Sequence, residues 1–346
     1  MTAVKTDIRE LSLEELKAVL VEKGEKAFRA KQVYEWLWKK HASSFEEMTN
    51  LSKPMRTLLE EEFIINMASI KTEQKSSDRT IKTAFELHDT HVIEGVLIPS
   101  KTRMTACISS QVGCSLTCKF CATGKMDRER NLSAAEMYDQ VATIKKQAED
   151  NYDTNLTNIV YMGIGEPLLN YKNMLKSVEM ITTDAGLAMS PKRITVSTAG
   201  IAKLIKKLGD DEVKFNLALS LHAANDEKRD KIMPINEQNT LESLAEALIY
   251  FHDKTGTRVT FEYILFKNFN DSIEDAQELA RFCKHVPCKI NIIEYNPIGD
   301  GEFEQATREK LDAFTKFLES KNLIVNVRRS RGKDIDAACG QLANKH

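Results

Sequence analysis

The densest group of reactive side chains is a set of three cysteines within eight residues, Cys114, Cys118 and Cys121. Their CxxxCxxC spacing begins shortly after segment 104–109, whose composition is typical of a β-strand. Three thiolates on one tight loop can ligate three irons of a 4Fe–4S cluster and leave the fourth iron open to another ligand. We therefore predict an iron–sulfur site with one vacant coordination position.

A zinc knuckle is the structural alternative for these cysteines. Zinc sites need four ligands, which usually come as two separated pairs. No second CxxC or HxxxH pair follows in the sequence, so a fourth ligand would have to be the isolated His222 or Cys339. The spacing favours the cluster.

The other four cysteines are scattered: Cys107, Cys283, Cys288 and Cys339. Cys283 falls in a predicted helix and Cys288 begins a predicted strand, as expected of small buried side chains. Cys339 differs, because it lies among small residues past the last strand, in a setting accessible to a reacting partner. Clustered thiols in a chain without a secretory signal indicate metal binding or chemistry rather than disulfides.

A second motif, Gly163-Ile164-Gly165-Glu166, follows the next predicted strand. Glycines at a strand end let backbone amides approach a ligand, and Glu166 offers a carboxylate to a cationic ammonium group. Taken alone, this motif could equally be a glycine-rich β-turn.

Strand patterns alternate with amphipathic helical patterns from about residue 103 onward. The predicted strands are 104–109, 158–162, 193–197, 215–220, 259–265 and 289–295, with a last strand at 323–327. The predicted helices include 134–148, 241–254, 273–283 and 308–320. Ser133, with Glu136 three residues later, predicts a capping box at the start of the first of them. Such alternation favours parallel strands with right-handed crossovers, and six units are too few for a closed eight-fold barrel. We predict an α/β fold, a partial (β/α)6 barrel, with its functional residues at the carboxyl ends of the strands.

The first 70 residues are predicted to form a small helical domain, because apolar residues recur with helical spacing in 12–23 and 30–40. Basic residues on these helices, such as Arg29 and Lys31, predict that the domain docks RNA. Trp36 and Trp38 cannot face the same side of a helix, so one of them should be a core residue. Residues 71–102 predict an antiparallel ribbon with a turn at 88–90, which leads into the barrel at 103–346.

Composition is ordinary for a globular protein, with 42% hydrophobic and 29% charged residues and a formal net charge of −2. Binding to nucleic acid would therefore depend on local basic patches. Basic residues near the predicted site are Lys101, Arg103, Lys125, Arg128, Arg130, Arg328, Arg329, Arg331 and Lys333. The sequence contains no apolar run of eighteen residues and no signal-type start, so a cytoplasmic location is the default expectation.

The CxxxCxxC motif after a first barrel strand resembles the radical S-adenosylmethionine (radical SAM) superfamily. The segments Cys107-Ile-Ser-Ser-Gln-Val-Gly-Cys114 and Gly332-Lys-Asp-Ile-Asp-Ala-Ala-Cys339-Gly-Gln-Leu342 resemble the RlmN and Cfr family of RNA methyltransferases. The similarity extends over essentially the whole chain. It implies one 4Fe–4S cluster on the three clustered cysteines and two molecules of S-adenosylmethionine per turnover.

The same resemblance implies a binding site for S-adenosylmethionine. Gly165 and Glu166 look like the glycine–glutamate motif that holds its amino group. Further residues, at or after strand ends, should line its nucleoside. They are Ser197, Ser220, Leu221, His222 and Asn296.

Two of the scattered cysteines are implied to carry and release the methyl group. Adenine carbon 2 and the methyl of S-adenosylmethionine are both electron-poor, so polar transfer between them has no nucleophile. In the reaction that the resemblance implies, Cys339 is methylated first, and a 5′-deoxyadenosyl radical then removes a hydrogen atom from that methyl group. The resulting methylene radical adds to the base. Cys107 releases the product through a transient disulfide with Cys339, and Glu94 accepts the proton lost from the ring carbon.

Within this family the motifs resemble enzymes that methylate adenine carbon 2 more than those that methylate carbon 8. The implied substrates are 23S rRNA, in its peptidyl transferase region, and the tRNA adenosine next to the anticodon. The implied electron donor is a low-potential protein such as flavodoxin or ferredoxin, and nothing demands more than a monomer. Two other classes stay open: a non-catalytic RNA-binding module with zinc or a structural cluster, and a radical SAM activase or thiolating enzyme. The last leaves Cys107 and Cys339 unexplained.

Overall fold

The computed structural model describes residues 5–299 and 301–344, and these residues contain a ten-stranded sheet. In chain order the strands are β1 (Thr6–Asp7), β2 (Phe63–Ile64), β3 (Ser69–Lys75), β4 (Ile81–Glu86), β5 (Val92–Pro99), β6 (Met104–Ile108), β7 (Gln111–Val112), β8 (Arg130–Asn131), β9 (Asn158–Tyr161), β10 (Ile194–Thr198), β11 (Asn216–Ser220), β12 (Val259–Leu265), β13 (Cys288–Glu294) and β14 (Val325–Arg328). The helices are α1 (Leu13–Glu22), α2 (Phe28–Tyr34), α3 (Lys53–Glu62), α4 (Ala134–Tyr152), α5 (Tyr171–Thr182), α6 (Ala202–Asp210), α7 (Asp226–Ile232), α8 (Leu241–Thr255), α9 (Ile273–Phe282) and α10 (Arg308–Ser320).

The strand order in the large sheet is β14-β13-β12-β11-β10-β9-β6-β5-β4-β3. Strands β6 and β9 to β14 pair in parallel, with helices in the crossovers between them. This arrangement confirms the predicted α/β partial barrel. Strand β12 and helix α10 have the predicted bounds, and the other barrel strands differ from prediction by one or two residues.

The predicted ribbon is a three-stranded antiparallel meander, β3 to β5, that continues the barrel sheet. Strand β5 pairs directly with β6, so that Val96 lies opposite Cys107. Residues of the meander therefore reach the interior of the barrel, which a free-standing hairpin would not do.

The N-terminal helices pack on α4 through one shared hydrophobic core. Trp38 is fully buried and meets Tyr138 edge to face at 5.1 Å between ring centroids. Trp36 is only partly buried, and the ammonium of Lys40 lies 3.6 Å from the centroid of its ring. The prediction that one tryptophan is core is confirmed. The segment Glu35–Lys39 forms a π-helical turn, whereas a regular helix was expected.

Helix α4 begins with the predicted capping box, in which Ser133 and Glu136 satisfy each other's backbone amides. Within residues 5–299 and 301–344, no helix is long and apolar enough to cross a bilayer.

Candidate active site

The carboxyl ends of the parallel strands surround a cavity of about 240 Å³. Most of the residues that the sequence nominated lie on its wall. These are Cys107, Cys114, Cys118, Cys121, Gly165, Glu166, Ser197, Ser220, His222 and Cys339. Residues from both ends of the barrel sequence thus share one chamber.

The cysteine loop is closed at its base by a short antiparallel ladder between β7 and β8. The turn into the loop requires Gly113, because its φ is +73° and a Cβ there would lie 1.8 Å from the carbonyl oxygen of Asp127. At its far side the loop touches the Cys339 segment, where the Ala122 amide donates to the Gly340 carbonyl at 2.7 Å. The ladder and this contact hold the three thiols at the cavity.

Burial raises the pKa of the Cys114 thiol to about 11 and raises that of Cys118 further, and the neighbouring Cys121 adds to both shifts. Thiolates in such a setting need a bound cation, which the irons of a cluster provide. No three His, Cys, Asp or Glu side chains among the described residues converge tightly enough for one metal ion. Thiols that each bind a different iron need no such convergence. The donor set therefore fits a three-cysteine 4Fe–4S cluster.

Glu166 is 4% exposed, and its carboxylate accepts hydrogen bonds from the amides of Leu168 (3.0 Å) and Ala199 (2.7 Å). Burial raises its pKa to about 7, against the opposing effect of these bonds. Gly165 is required for packing, since its φ is +96° and a Cβ would lie 2.5 Å from the Cβ of Gln111. The Gln111 side chain in turn accepts the Glu166 amide at 2.9 Å.

His222 is buried and its Nδ1 accepts the backbone amide of Ile264 at 3.1 Å. Burial lowers its pKa to about 3, so the ring is neutral and carries its proton on Nε2. The hydroxyls of Ser197 and Ser220 lie 3.4 Å apart on the same wall. The His222 ring and the two serine hydroxyls give the cavity wall a short row of uncharged hydrogen-bonding groups.

The residues that line the cavity do not include Leu221 and Asn296, and their expected contact with the nucleoside stays a prediction. The Leu221 side chain is fully buried in the main core, because the residue after Ser220 points to the other side of the sheet. Asn296 is 3% exposed and its Nδ2 donates to the carbonyl of Cys339 at 3.2 Å. It holds the segment that carries this cysteine, and its Oδ1 has no partner in the described part of the chain.

Cys107 is buried on β6, and burial, with a further contribution from Cys339, raises its pKa to about 12. The Cys339 side chain is open to the cavity, yet the surrounding protein still raises its pKa to about 11. Arg328 opposes both shifts. All seven cysteines are free thiols.

Glu94 is 1% exposed, which excludes the solvated position that is usual for a glutamate in a ribbon. Its carboxylate accepts the amides of Ala343 (2.9 Å) and Asn344 (3.1 Å), and the ammonium of buried Lys82 lies 3.4 Å away. It is two positions from Val96 on the same face of β5, and Val96 packs with Cys107. Glu94 does not itself line the cavity.

Two family models match the sequence. Residues 6–65 match the ribosomal RNA large subunit methyltransferase N-terminal domain, and residues 108–283 match the radical SAM superfamily. A protein of Cytophaga hutchinsonii, named as a probable dual-specificity RNA methyltransferase RlmN, is 64% identical over 99% of this chain and 93% of its own length. The chain belongs to the RlmN family. A relative from Christiangramia forsetii with the same name is 58% identical over 99% of this chain and 97% of its own.

A solved structure, a radical SAM methyltransferase from Sphaerobacter thermophilus, has the same fold. It matches with a TM-score of 0.92 and 38% identity, covering 97% of this chain and 99% of that one. As a radical SAM enzyme of the RlmN family, the chain uses a 4Fe–4S cluster and S-adenosylmethionine.

Sequence reasoning missed Glu262 as a wall residue of this RlmN-family site. Glu262 is 4% exposed on β12, where Asn291 donates to it at 2.8 Å and Arg328 lies 3.5 Å away. Burial raises its pKa. An isolated glutamate in an apolar strand (Val259–Leu265) was the available signal, because such a side chain must point into a polar interior.

Three of the nine basic residues that the sequence placed near the site lie at the cavity. Arg328, Arg329 and Arg331 line the cavity. Lys101 and Arg103, which were grouped with the site, precede the first residue of β6 and so lie at the amino ends of the strands, away from the cavity. Nearness in sequence to Cys107 was misleading, because a strand carries its two ends to opposite edges of the sheet.

Arg130 is also not free for RNA. Its guanidinium forms ion pairs with Asp89 at 2.5 Å and Glu136 at 2.8 Å, which tie the β8 strand to the start of α4. It serves the fold rather than an open basic surface.

Proposed function

We propose that this chain methylates carbon 2 of adenosine in 23S rRNA and in tRNA, with Cys339 as methyl carrier. The observation that carries the proposal is that Cys107 and Cys339 line the same cavity as the three cysteines of the cluster motif. The names of the RlmN relatives, as dual-specificity RNA methyltransferases, support two classes of RNA substrate. Methylation at carbon 8 is not favoured by these relatives.

Cys114, Cys118 and Cys121 would hold the cluster, which when bound supplies an electron to S-adenosylmethionine and so yields a hydrogen-abstracting radical. Glu166 would accept the ammonium of S-adenosylmethionine, whose positive charge compensates the buried carboxylate. His222 would donate from Nε2, and Ser197 and Ser220 would orient the nucleoside.

Cys339 would accept a methyl group through its sulfur, with loss of the thiol proton and departure of the neutral thioether from the sulfonium. Its opening to the cavity gives the methyl donor access. Arg328 lines the same cavity and favours the thiolate electrostatically.

Cys107 would release the product by forming a transient disulfide with Cys339: the S–S bond would form as the bond between the Cys339 sulfur and the base-bound carbon breaks, that carbon would take up the Cys107 proton, and a thiol reductant would then restore both thiols. Its raised pKa keeps it a protonated thiol until then. Glu94 would accept the proton from the ring carbon. Its buried position, two residues from the Val96 that packs with Cys107, supports that role. Glu94 would also have a second role, because its hydrogen bonds to Ala343 and Asn344 hold the chain after Cys339.

RNA would approach the cavity along Arg328, Arg329 and Arg331, and the target base must leave its stack to enter. We further propose that the protein acts in the cytoplasm as a monomer and receives electrons from flavodoxin or ferredoxin.

Substitution of the two cysteines tests the proposal. With Cys339→Ala we expect no methylation, because the carrier is lost. With Cys107→Ala we expect a covalent protein–RNA adduct to accumulate, seen as a shifted band that nuclease digestion removes. Cys283→Ala, at a buried cysteine outside the cavity, is the matched control and should behave as wild type.

Mass spectrometry of the digested RNA reads out the product. Methylated RNA from Cys339→Ala, or release at the normal rate from Cys107→Ala, would contradict the assigned roles. Formation of 8-methyladenosine would overturn the choice of carbon 2.

A further inference from the structure

Helix α7 lies directly behind the cysteine loop. The Lys119 amide, next to Cys118, donates to the carbonyl of Ile232 at the end of this helix at 3.0 Å. Ile232 also packs with Phe120, and Cys118 and Cys121 border the same apolar cluster. A charge on the inner face of α7 therefore acts on the cluster ligands through a water-poor interior, where electrostatic effects are strong.

Arg229 is the charged residue on that inner face, and its side chain is 0% exposed. All of its hydrogen bonds go to neutral acceptors: the carbonyls of Leu221 (3.1 Å), Ala199 (2.5 Å) and Ser220 (3.2 Å) and the Asn236 Oδ1 (2.6 Å). Across residues 5–299 and 301–344, no carboxylate forms an ion pair with it.

Two acidic side chains are linked to Arg229 through Asn236. The Asn236 amide that accepts from Arg229 donates to Asp226 at 2.8 Å and to Asp230 at 2.7 Å. A buried cation without a direct counter-ion is costly, and burial lowers the pKa of Arg229 to about 10. Cys118 raises the pKa of Arg229 against this effect of burial, and the two aspartates raise it to a smaller extent.

We propose that Arg229 is a fixed buried cation that stabilises the negative charge of the reduced 4Fe–4S cluster and thereby sets its reduction potential. The inference rests on the cluster assignment of the proposed function. Reduction adds one electron to a site that already carries three thiolates. Arg229 stays protonated in both redox states, so no proton or bond changes at this residue. It is a tuning residue and touches no reacting atom.

Arg229 has a structural task as well, because it ties together the carbonyls after β10 and at the end of β11. A loss of activity in a variant would not separate the two tasks. The midpoint potential of the cluster does separate them. Removing a positive charge should make the potential more negative, and removing a negative charge should make it more positive.

The experiment is a redox titration of the full-length, anaerobically cluster-loaded protein, followed by electron paramagnetic resonance without S-adenosylmethionine. Arg229→Gln removes the cation, and we expect a more negative midpoint potential. Arg229→Lys keeps the charge and should stay closer to wild type. Asp230→Asn removes a nearby negative charge at nearly constant shape, and we expect a shift to a more positive potential.

Iron and sulfide content is measured for every variant. Equal potentials in wild type, Arg229→Gln and Asp230→Asn would overturn the inference. If Arg229→Gln fails to fold or to retain its cluster, Arg229→Met, a neutral apolar side chain, takes its place, and an unchanged or more positive potential there refutes the role of Arg229. A wild-type protein that binds no redox-active cluster would instead overturn the proposed function.

Discussion

The buried position of Glu166 predicts how the binding of S-adenosylmethionine depends on pH. Burial raises its pKa from 4.5 to about 7, so in the ligand-free protein it is about half ionised at neutral pH. Because the pKa of Glu166 is higher in the folded protein than the value of 4.5 expected in the unfolded chain, this carboxyl group stabilises the fold at pH values below 4.5. That contribution is lost as the pH rises through about 7. An incoming ammonium group reverses this preference because it favours the carboxylate.

Binding of S-adenosylmethionine should therefore tighten with pH. A pKa near 7 predicts about a tenfold gain in affinity between pH 6 and pH 8, as the ionised fraction rises. Glu166→Gln should remove most of this pH dependence and weaken binding by about 1.5–3 kcal/mol, the worth of a hydrogen bond to a charged group. Equilibrium dialysis of the cluster-loaded protein with labelled S-adenosylmethionine measures both.

Glu179→Gln, on helix α5, is the control and should keep the wild-type profile. A Glu166→Gln variant with an unchanged pH profile would exclude this carboxylate as the ammonium ligand.

At the scale of elements, helix α4 connects the N-terminal helices to the barrel. Its Asp139 is fully buried and contacts Arg9 at 2.7 Å, the Nε2 of His41 at 2.9 Å and the amide of Ala68 at 3.0 Å. Arg9 continues the network to the carbonyl of Asn66 at 2.6 Å. One carboxylate thus fastens three segments of the N-terminal region to one barrel helix.

Removing one partner of this network should be strongly destabilising. Asp139→Ala leaves buried Arg9 with only the more distant carboxylate of Asp7, at 3.4 Å, as counter-ion, and we expect a loss of about 3–5 kcal/mol in the free energy of unfolding. Urea unfolding followed by circular dichroism measures it. Asp150→Asn, which breaks an exposed pair with Lys146 on the same helix, should leave the stability nearly unchanged.

The double variant Arg9→Met/Asp139→Leu supplies a second check, because it removes both charges. It should recover part of the loss. An Asp139→Ala variant as stable as wild type would show that the network does not fasten the N-terminal helices.

At the scale of the whole molecule, a net charge of −2 conceals an uneven distribution. Arg328, Arg329 and Arg331 line the cavity, whereas Lys101 and Arg103 lie at the opposite edge of the sheet. Of these two groups, only the arginines lie on the side of the sheet where an RNA whose base occupies the cavity would run. Neither the net charge nor proximity in the sequence predicts the RNA-binding face that we propose.

The salt dependence of RNA binding tests this distribution. Each phosphate contact contributes about 0.7–0.9 to the slope of log affinity against log salt concentration. Arg329→Gln should reduce the magnitude of this slope by about 0.7–0.9, the value of one phosphate contact, and Arg103→Gln should leave the slope unchanged. Fluorescence anisotropy with a labelled tRNA across a salt series measures both, and a larger effect from Arg103→Gln would reverse the assignment of the binding face.

Local patterns determined much of this protein from sequence alone. The spacing of the three cluster cysteines, the strand–helix alternation and the capping box at Ser133 all depend on neighbours within about one turn or one loop. Each of these patterns has few physical solutions, so the partial barrel and the position of the cysteine loop could be predicted. The bounds of β12 and α10 were predicted for the same reason.

Only the tertiary structure decided which distant side chains share an environment. It brought Cys107 and Cys339 to one chamber, buried Glu94 beneath the C-terminal segment, and turned Leu221 into the core. It also made Arg229 a buried cation behind the cysteine loop. Burial and charge proximity arise from the packing of segments far apart in the chain, and neither is encoded in the spacing of adjacent residues.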